Sequence, residues 1–332
     1  MAVTLKDVAT MAGVSVKTVS NVVNGYAFVK PENRRRVEEA LAATGYRPNV
    51  GARNLRRGRT GFLALMVPEL SIPYFGEMAG LVITAAQRRG WSVLIEQTQG
   101  TRDRERATVD SLGPHLVDGA LLHPEALEAG DFPDGEIPLV LLGEHAVDVA
   151  LDRVAIDNVQ AAHLAVSHLV SLGHRRIAAI GANPKRGTSS LRLAGYLAAL
   201  EDAGLPSSES LVEPVAKYHR SEGAAAMKRL LAREEPPDAV FCFNDLLAVG
   251  ALRSVAEHGL RVPHDIAIVG FDNTEESAFS LPALTTISPD KAAIAEAAID
   301  LIHGRLTGTE NAPPREVQPP FSLEIRESTV LR

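Results

Sequence analysis

The sequence predicts two parts of different class: an N-terminal all-α helix-turn-helix head, and behind it an α/β core of two doubly wound parallel-sheet subdomains. Three observations carry this expectation. Residues 13–25, GVSVKTVSNVVNG, repeat valine at helical spacing (16, 19, 22 and 23), with Lys17, Ser20, Asn21 and Asn24 on the other side. From Gly61 onward, short apolar runs alternate with helical patterns, as parallel sheets covered by helices require. Charge divides sharply along the 332 residues: positions 1–60 hold 11 Lys and Arg against four acids, a net +7, so the overall −7 leaves −14 for the remainder.

In the head, Thr4 can cap a first helix, Asp7 favours its positive end, and Leu5, Val8, Ala9 and Ala12 form its apolar stripe. Gly13 ends that helix, and Ser15 caps a second after a turn so short that the two must cross steeply. Pro31 suits the first turn of a third helix, in which Val37, Ala40, Leu41 and Thr44 close a small core before Gly45 stops it. Burying the valine stripe turns Lys17, Ser20, Asn21 and Asn24 outward. Lys and Asn can hydrogen-bond base edges in a major groove, and Val16 can press on a thymine methyl; the alternative is a merely solvated face. In YRPNVGARNLRRGRT (46–60), Pro48 and Gly51 weaken an isolated helix, yet 49–57 can form one against a partner. Arg53, Arg56 and Arg57 suit phosphates. Leu55, stranded among charges, is either a wedge for an opened base step or an incidental leucine in a linker.

Composition narrows the compartment and the chemistry. No stretch of 18 apolar residues occurs and MAVTLKDVA lacks the layout of an export signal, so the expected location is the cytoplasm. The single cysteine, Cys242 in AVFCFND, cannot form an intrachain disulfide and reads as a buried apolar residue. A basic tip on an acidic body suits a molecule that touches a polyanion at one end only.

In the body, GFLALMVP, SVLIEQ, DGALLHP, PLVLLGE, RVAID, RIAAIGA, DAVFCFND and IAIVGFD read as buried parallel strands, with helical stretches at 75–89, 158–172, 190–203, 221–233 and 245–258. Ligands bind beyond the carboxyl ends of such strands. Polar and aromatic residues stand at those exits: Tyr74 and Phe75 after the first strand, Asp157 at the end of RVAID, and Arg186 and Arg192 after RIAAIGA. Asn244 follows AVFCF, and Asp272 follows IAIVGF. Together they describe a cleft for a small polar ring-shaped molecule such as a sugar, although Asp and Asn at strand ends also serve simply as helix caps.

VTLKDVATMAGVSVKTVSNVVNG, followed by YRPNVGARNL, resembles the DNA-binding head and hinge of the lactose-repressor (LacI/GalR) family of bacterial transcription regulators. IPYFGEM, AIDN, RGTSSLRLAGY, CFNDLLAVGAL, RVPHDIAIVGFDN and LPALTTI resemble that family's effector core, itself like a periplasmic sugar-binding protein. The resemblance implies a head at 1–48, a hinge at 49–60 and a core at 61–332. Within the core, one subdomain spans about 61–158 and 289–320, the other about 159–288 and 321–332. It implies that Val16, Lys17 and Asn21 read operator bases, that 49–57 folds as a hinge helix in the minor groove, and that Leu55 intercalates. The expected DNA-binding set also includes Ser15, Thr18, Ser20 and Asn24 in the head, and Asn49, Ala52 and Arg53 in the hinge. The effector contacts implied are Tyr74, Phe75, Asp157, Arg186, Thr188, Arg192, Tyr218, Asn244 and Asp272. Many members carry Asn-Pro where this chain has Ile72-Pro73, and a stacking aromatic at the place of Tyr218 occurs in purine-sensing and sugar-sensing relatives alike.

The expectation is a homodimeric, sequence-specific DNA-binding regulator, as a rule a repressor, that grips a near-palindromic operator under control of a sugar-like effector; a purine- or nucleoside-responsive regulator is the alternative. No phosphate-binding glycine loop, HExxH, Cys/His cluster or G-x-S-x-G occurs, so neither an enzyme nor a metal or cofactor is expected. Glu144-His145 beside Asp148 reads as surface or cleft lining. FSLEIRESTVLR reads as a last strand and tail with no heptad helix after it, which favours a dimer over a tetramer. Two other classes remain open: a solute-binding protein, and a DNA-packaging protein without a ligand.

Overall fold

The computed structural model describes residues 3–23, 26–46, 59–132, 137–143, 149–183, 187–308 and 313–330. They fall into two compact units, Met1–Arg59 and Thr60–Arg332.

The first unit is a three-helix head: α1 (Leu5–Ala12), α2 (Val16–Val23) and α3 (Pro31–Thr44). Thr4 and Asp7 close a reciprocal capping box at the start of α1, and Gly13 ends it in the left-handed conformation (φ 61°) that glycine adopts without strain. Ser15 Oγ accepts from the Thr18 amide at 3.1 Å, the capping bond its sequence position predicts. Val8, Ala9, Ala12, Val19, Val22, Val37 and Ala40 form the core. Only part of the valine stripe is in it. Val16, in the first turn of α2, is 44% exposed, and Val23, in the last, is half-buried against the core.

The second unit is built on two six-stranded sheets. The first contains β1 (Phe62–Val67), β2 (Ser92–Gln97), β3 (Gly119–Leu122), β4 (Leu139–Leu142), β5 (Asp152–Val154) and β11 (Glu316–Val317), in the order β11-β5-β4-β3-β1-β2. The second contains β6 (Ile177–Ala182), β7 (Val212–Pro214), β8 (Ala239–Cys242), β9 (Ala267–Phe271), β10 (Thr285–Pro289) and β12 (Phe321–Glu324), in the order β12-β10-β9-β8-β6-β7. Each begins its winding at an inner strand, passes one neighbour outward and then reverses, so each has a switch point, at β1/β3 and at β6/β8. Every described strand pair is parallel except β10 with β12.

The covering helices are α4 (Pro73–Arg88), α5 (Arg102–Ser111), α6 (Asn158–Ser171), α7 (Gly187–Asp202), α8 (Arg220–Leu231), α9 (Asp245–Glu257), the short α10 (Glu275–Phe279) and α11 (Lys291–Thr307). Central strands are buried on both faces, as parallel strands between helices must be. SVLIEQ departs from the buried reading: β2 pairs only with β1 at the sheet edge and leaves Leu94 and Ile95 about two-fifths exposed. Cys242 is fully buried and unpaired, and burial pushes its thiol pKa up.

Two buried carboxylates fasten the first sheet. Asp118 accepts from the Thr60 amide (2.6 Å), the Gly61 amide (3.0 Å) and Trp91 Nε1 (3.0 Å), fixing the chain where it enters the core. Asp152 accepts from Arg305 Nε and Nη2 (2.8 and 2.9 Å) and from the Arg315 amide (2.9 Å). Burial pushes the Asp152 pKa up, but the Arg305 and Arg315 hydrogen bonds outweigh it and hold the group below its ordinary 3.8. A carboxyl whose folded pKa lies below its unfolded one adds stability that is present above the unfolded value and lost as pH falls through the folded one. Arg305→Met should therefore move acid unfolding of the core to higher pH in a circular-dichroism titration. An unchanged acid midpoint would refute this role of the bridge.

Candidate nucleic-acid interface and ligand cavity

The head presents Ser15, Val16 and Lys17 exposed, and Thr18, Ser20 and Asn21 half-buried, around the outward side of α2. Val19 and Val22 anchor the opposite side in the core. Lys17 brings a cation, Asn21 an amide with two donors and an acceptor, and Val16 an apolar tip. These are groups that distinguish base edges in a major groove. Asn24, Asn49, Ala52, Arg53 and Leu55 lie outside the described residues, as do Arg186 and the Glu144-His145 pair.

In the core, a cavity of about 110 Å³ opens between the carboxyl ends of the two sheets, room for several waters or one small molecule. Tyr74, Phe75, Thr188, Arg192, Tyr218, Asn244 and Asp272 all line it. Asp157 does not. Its carboxylate accepts from the Gln160 amide at 2.9 Å as the N-cap of α6, and the next residue, Asn158, faces the cavity instead.

Arg192 organises the cavity floor. It is 8% exposed, and its guanidinium lies 3.5 Å from the centroid of the Phe271 ring. Nε donates to Asn158 Oδ1 at 2.7 Å, Nη1 donates to the Phe243 carbonyl, and Nη2 stands 3.9 Å from Asp272 Oδ1. Burial raises the pKa of Asp272; Arg192 opposes that rise, while the neighbouring Asp245 adds to it. Asp245, buried under the turn, accepts from Thr286 Oγ1 (2.6 Å) and the Thr274 amide (2.8 Å), and burial raises its pKa too. The Tyr74 phenol pKa is driven up by burial and then by the Asp272 charge.

Asn244 caps α9 through the Leu247 amide (2.9 Å) and points its amide nitrogen at the Tyr218 carbonyl (3.4 Å). Tyr218 donates its hydroxyl to the Gly181 carbonyl at 3.0 Å. Sequence reasoning missed Asn158, Ser189, His123 and Glu125, all in the cavity wall. Asn158 was legible one residue beyond Asp157. His123 and Glu125 follow β3, whose exit carries no signal separating it from an ordinary loop. His123 meets Phe75 edge to face, with ring centroids 5.0 Å apart.

Residues 4–49 match the bacterial regulatory proteins of the lacI family, and residues 166–329 match the periplasmic binding protein-like domain. The chain is 34% identical to the HTH-type transcriptional repressor PurR of Mannheimia succiniciproducens, over 99% of its own length and 97% of that protein's. The chain belongs to the lacI family. Its fold matches a lac repressor dimer bound to operator and the anti-inducer ONPF with a TM-score of 0.87 at 27% identity, covering all of both chains. A transcriptional regulator CelR–cellobiose complex matches with a TM-score of 0.74 at 31% identity, over 98% of this chain and 99% of that one. The chain is likewise 33% identical to the HTH-type transcriptional regulator DegA of Bacillus subtilis, over 99% of its own length and 98% of that protein's. Among the described residues no helix is long and apolar enough to cross a membrane, and no group of three or more His, Cys, Asp and Glu could hold a metal ion.

Proposed function

We propose that this family member is a cytoplasmic, homodimeric repressor whose grip on a near-palindromic operator is set by a small polar molecule, most simply a sugar or sugar derivative, bound between the two sheets. The observation that carries the effector reading is the pairing of Arg192 and Asp272 on the cavity floor beneath aromatic walls. A sugar offers hydroxyls that both donate and accept and a C–H face that stacks on aromatic rings. Arg192 has five donors, and its described hydrogen bonds take two of them, with the Asp272 carboxylate at ion-pair distance from a third nitrogen. The CelR–cellobiose complex supports this ligand class. A flat nucleobase is the second reading, favoured by Tyr74, Phe75 and Tyr218 standing in one cavity. A thermal-shift screen over sugars, sugar phosphates and nucleobases tests both, and no shift with any of them would sink the reading.

The proposed DNA contacts are Ser15, Val16, Lys17, Thr18, Ser20, Asn21 and Asn24 in the head, with the hinge at 49–60 entering the minor groove. Exposed Leu94 and Ile95 on the edge strand suit burial against a second copy. Lys17→Ala or Asn21→Ala should relax the preference at particular operator positions by about 1–3 kcal/mol per lost base contact. Genomic footprinting supplies the operator, and competition binding against random duplex checks the prediction. Equal weakening on operator and random DNA would reassign these residues to phosphate contact.

A further inference from the structure

Asp272 and Asn273 form an unusual turn at the exit of β9. Both have positive φ, 113° and 46°, a region uncommon for L residues, although Asp and Asn enter it more readily than most, and one that surrounding groups can stabilise. Those surroundings come from both subdomains. The Lys291 ammonium, at the start of α11, donates to the Asp272 carbonyl at 3.1 Å and the Asn273 carbonyl at 2.8 Å. The same ammonium is paired with Glu77 Oε2 on α4, while Glu77 Oε1 accepts from the Glu275 amide at 2.9 Å. Both α4 and α11 belong to the layer on the first sheet, whereas the turn belongs to the second. Helix α4 also carries Tyr74 and Phe75 in its first turn.

We propose that Lys291, pinned by Glu77, is a positioning residue for the ligand cavity: it holds the Asp272–Asn273 turn in the conformation that aims the Asp272 carboxylate at Arg192, and ties that turn to the helix bearing Tyr74 and Phe75. The assignment rests on the effector reading of the cavity. On the other side of the turn the Asn273 side chain donates to Ser288 Oγ (2.9 Å) and accepts from Arg326 Nη2 (2.6 Å), so its own bonds anchor it within the second subdomain. Lys291 instead crosses between subdomains. It is also only 13% exposed, so its charge acts on Asp272 with little screening by water.

The charged and titratable groups that face Asp272 are Arg192 from α7, Asp245 from α9, Lys291 from α11, and Glu77 and Tyr74 from α4. Lys291 and Glu77 act on it with opposite sign, which gives a test that a merely structural role would not satisfy. In the ligand-free full chain, the Asp272 carboxyl can be titrated by ¹³C NMR, its resonance assigned by its loss in Asp272→Asn. Lys291→Met should strengthen proton binding at Asp272 roughly tenfold, about one pH unit. It should also speed hydrogen exchange of the 272–275 amides at least about tenfold over the rest of the core. Lys291→Arg should restore both. Glu77→Gln should speed exchange at the Glu275 amide while moving the Asp272 titration the opposite way, to lower pH.

An unmoved Asp272 titration in both Lys291→Met and Glu77→Gln, or exchange that rises no more in the turn than elsewhere, would overturn the proposal. Should Lys291→Met fail to fold, Glu77→Gln, which keeps the ammonium, decides alone. No ligand enters these measurements, so their failure is separate from failure of the cavity reading, which the thermal-shift screen tests.

Discussion

Arg192→Met is expected to abolish every ligand-induced thermal shift that the unaltered protein shows, and to destabilise the ligand-free core in a pH-dependent way. The guanidinium joins Asn158 on α6, the Phe243 carbonyl after β8 and Asp272 after β9, while covering Phe271. Its removal leaves the Asp272 carboxylate, itself 8% exposed, without its closest described cation, a loss of about 3–5 kcal/mol where that carboxylate stays ionised. The sign with pH follows from the direction of the shift. Burial raises the pKa of Asp272 above the unfolded value, so the folded state binds the proton more tightly and ionisation of this group works against folding as pH rises. Arg192 restrains that rise. Without it the carboxyl protonates more readily, so the deficit of the variant should shrink on acidification and widen toward alkaline pH. Thermal melts of both proteins across that range read the difference. A deficit independent of pH would show that lost packing on Phe271, not the charge pair, carries the effect, and an undiminished ligand shift would remove Arg192 from the binding site.

Local chemistry explains which parts of this arrangement could be read from sequence. The capping box at Thr4 and Asp7, the left-handed stops at Gly13 and Gly45, and the buried strands at 177–182 and 239–242 each depend on neighbours along the chain, so residue type alone locates them. Exposure depends on distant partners and was harder to read. Val16 has the periodicity of a core residue but is 44% exposed, and Leu94 and Ile95 have the apolar run of a buried strand but lie at an edge. At the cavity, strand ends mark Asp272 and Asn244 because the winding of each sheet brings its carboxyl ends together. Whether a strand-end acid caps a helix or faces a ligand is decided by side-chain direction, which is why Asp157 and Asn158 exchange places. Helix α11 was not read either: KAAIAEAAIDLIHGRLT is apolar on so much of its surface that no single stripe stands out, as befits a helix packed on both α4 and the first sheet.

A second large effect is expected where helices α8 and α9 touch. A Cβ built on Gly250 would lie 2.0 Å from the Arg220 carbonyl oxygen and 2.8 Å from the Ala224 nitrogen; one on Gly223 would lie 2.1 Å from the Leu247 carbonyl oxygen. The obstacles are backbone atoms, which cannot swing aside as a side chain does. In an open helix interior, Gly→Ala gains about 0.5–1 kcal/mol because it reduces the freedom of the unfolded chain. Gly80, in the middle of α4 with nothing within 4 Å of its Cβ position, is such a site, and Gly80→Ala should raise the melting temperature. Gly250→Ala should reverse the sign, with a loss of about 1–3 kcal/mol from overpacking, and Gly250→Val should lose more. The damage should reach the ligand site. Helix α9 begins at Asn244, which lines the cavity, and Asp245, which supports the Asp272 turn through the Thr274 amide, so pushing α9 off α8 should weaken ligand-induced thermal shifts even where the fold survives. Equal stabilisation by Gly80→Ala and Gly250→Ala would mean that the two helices part without cost and that their close approach does not set the position of the cavity wall.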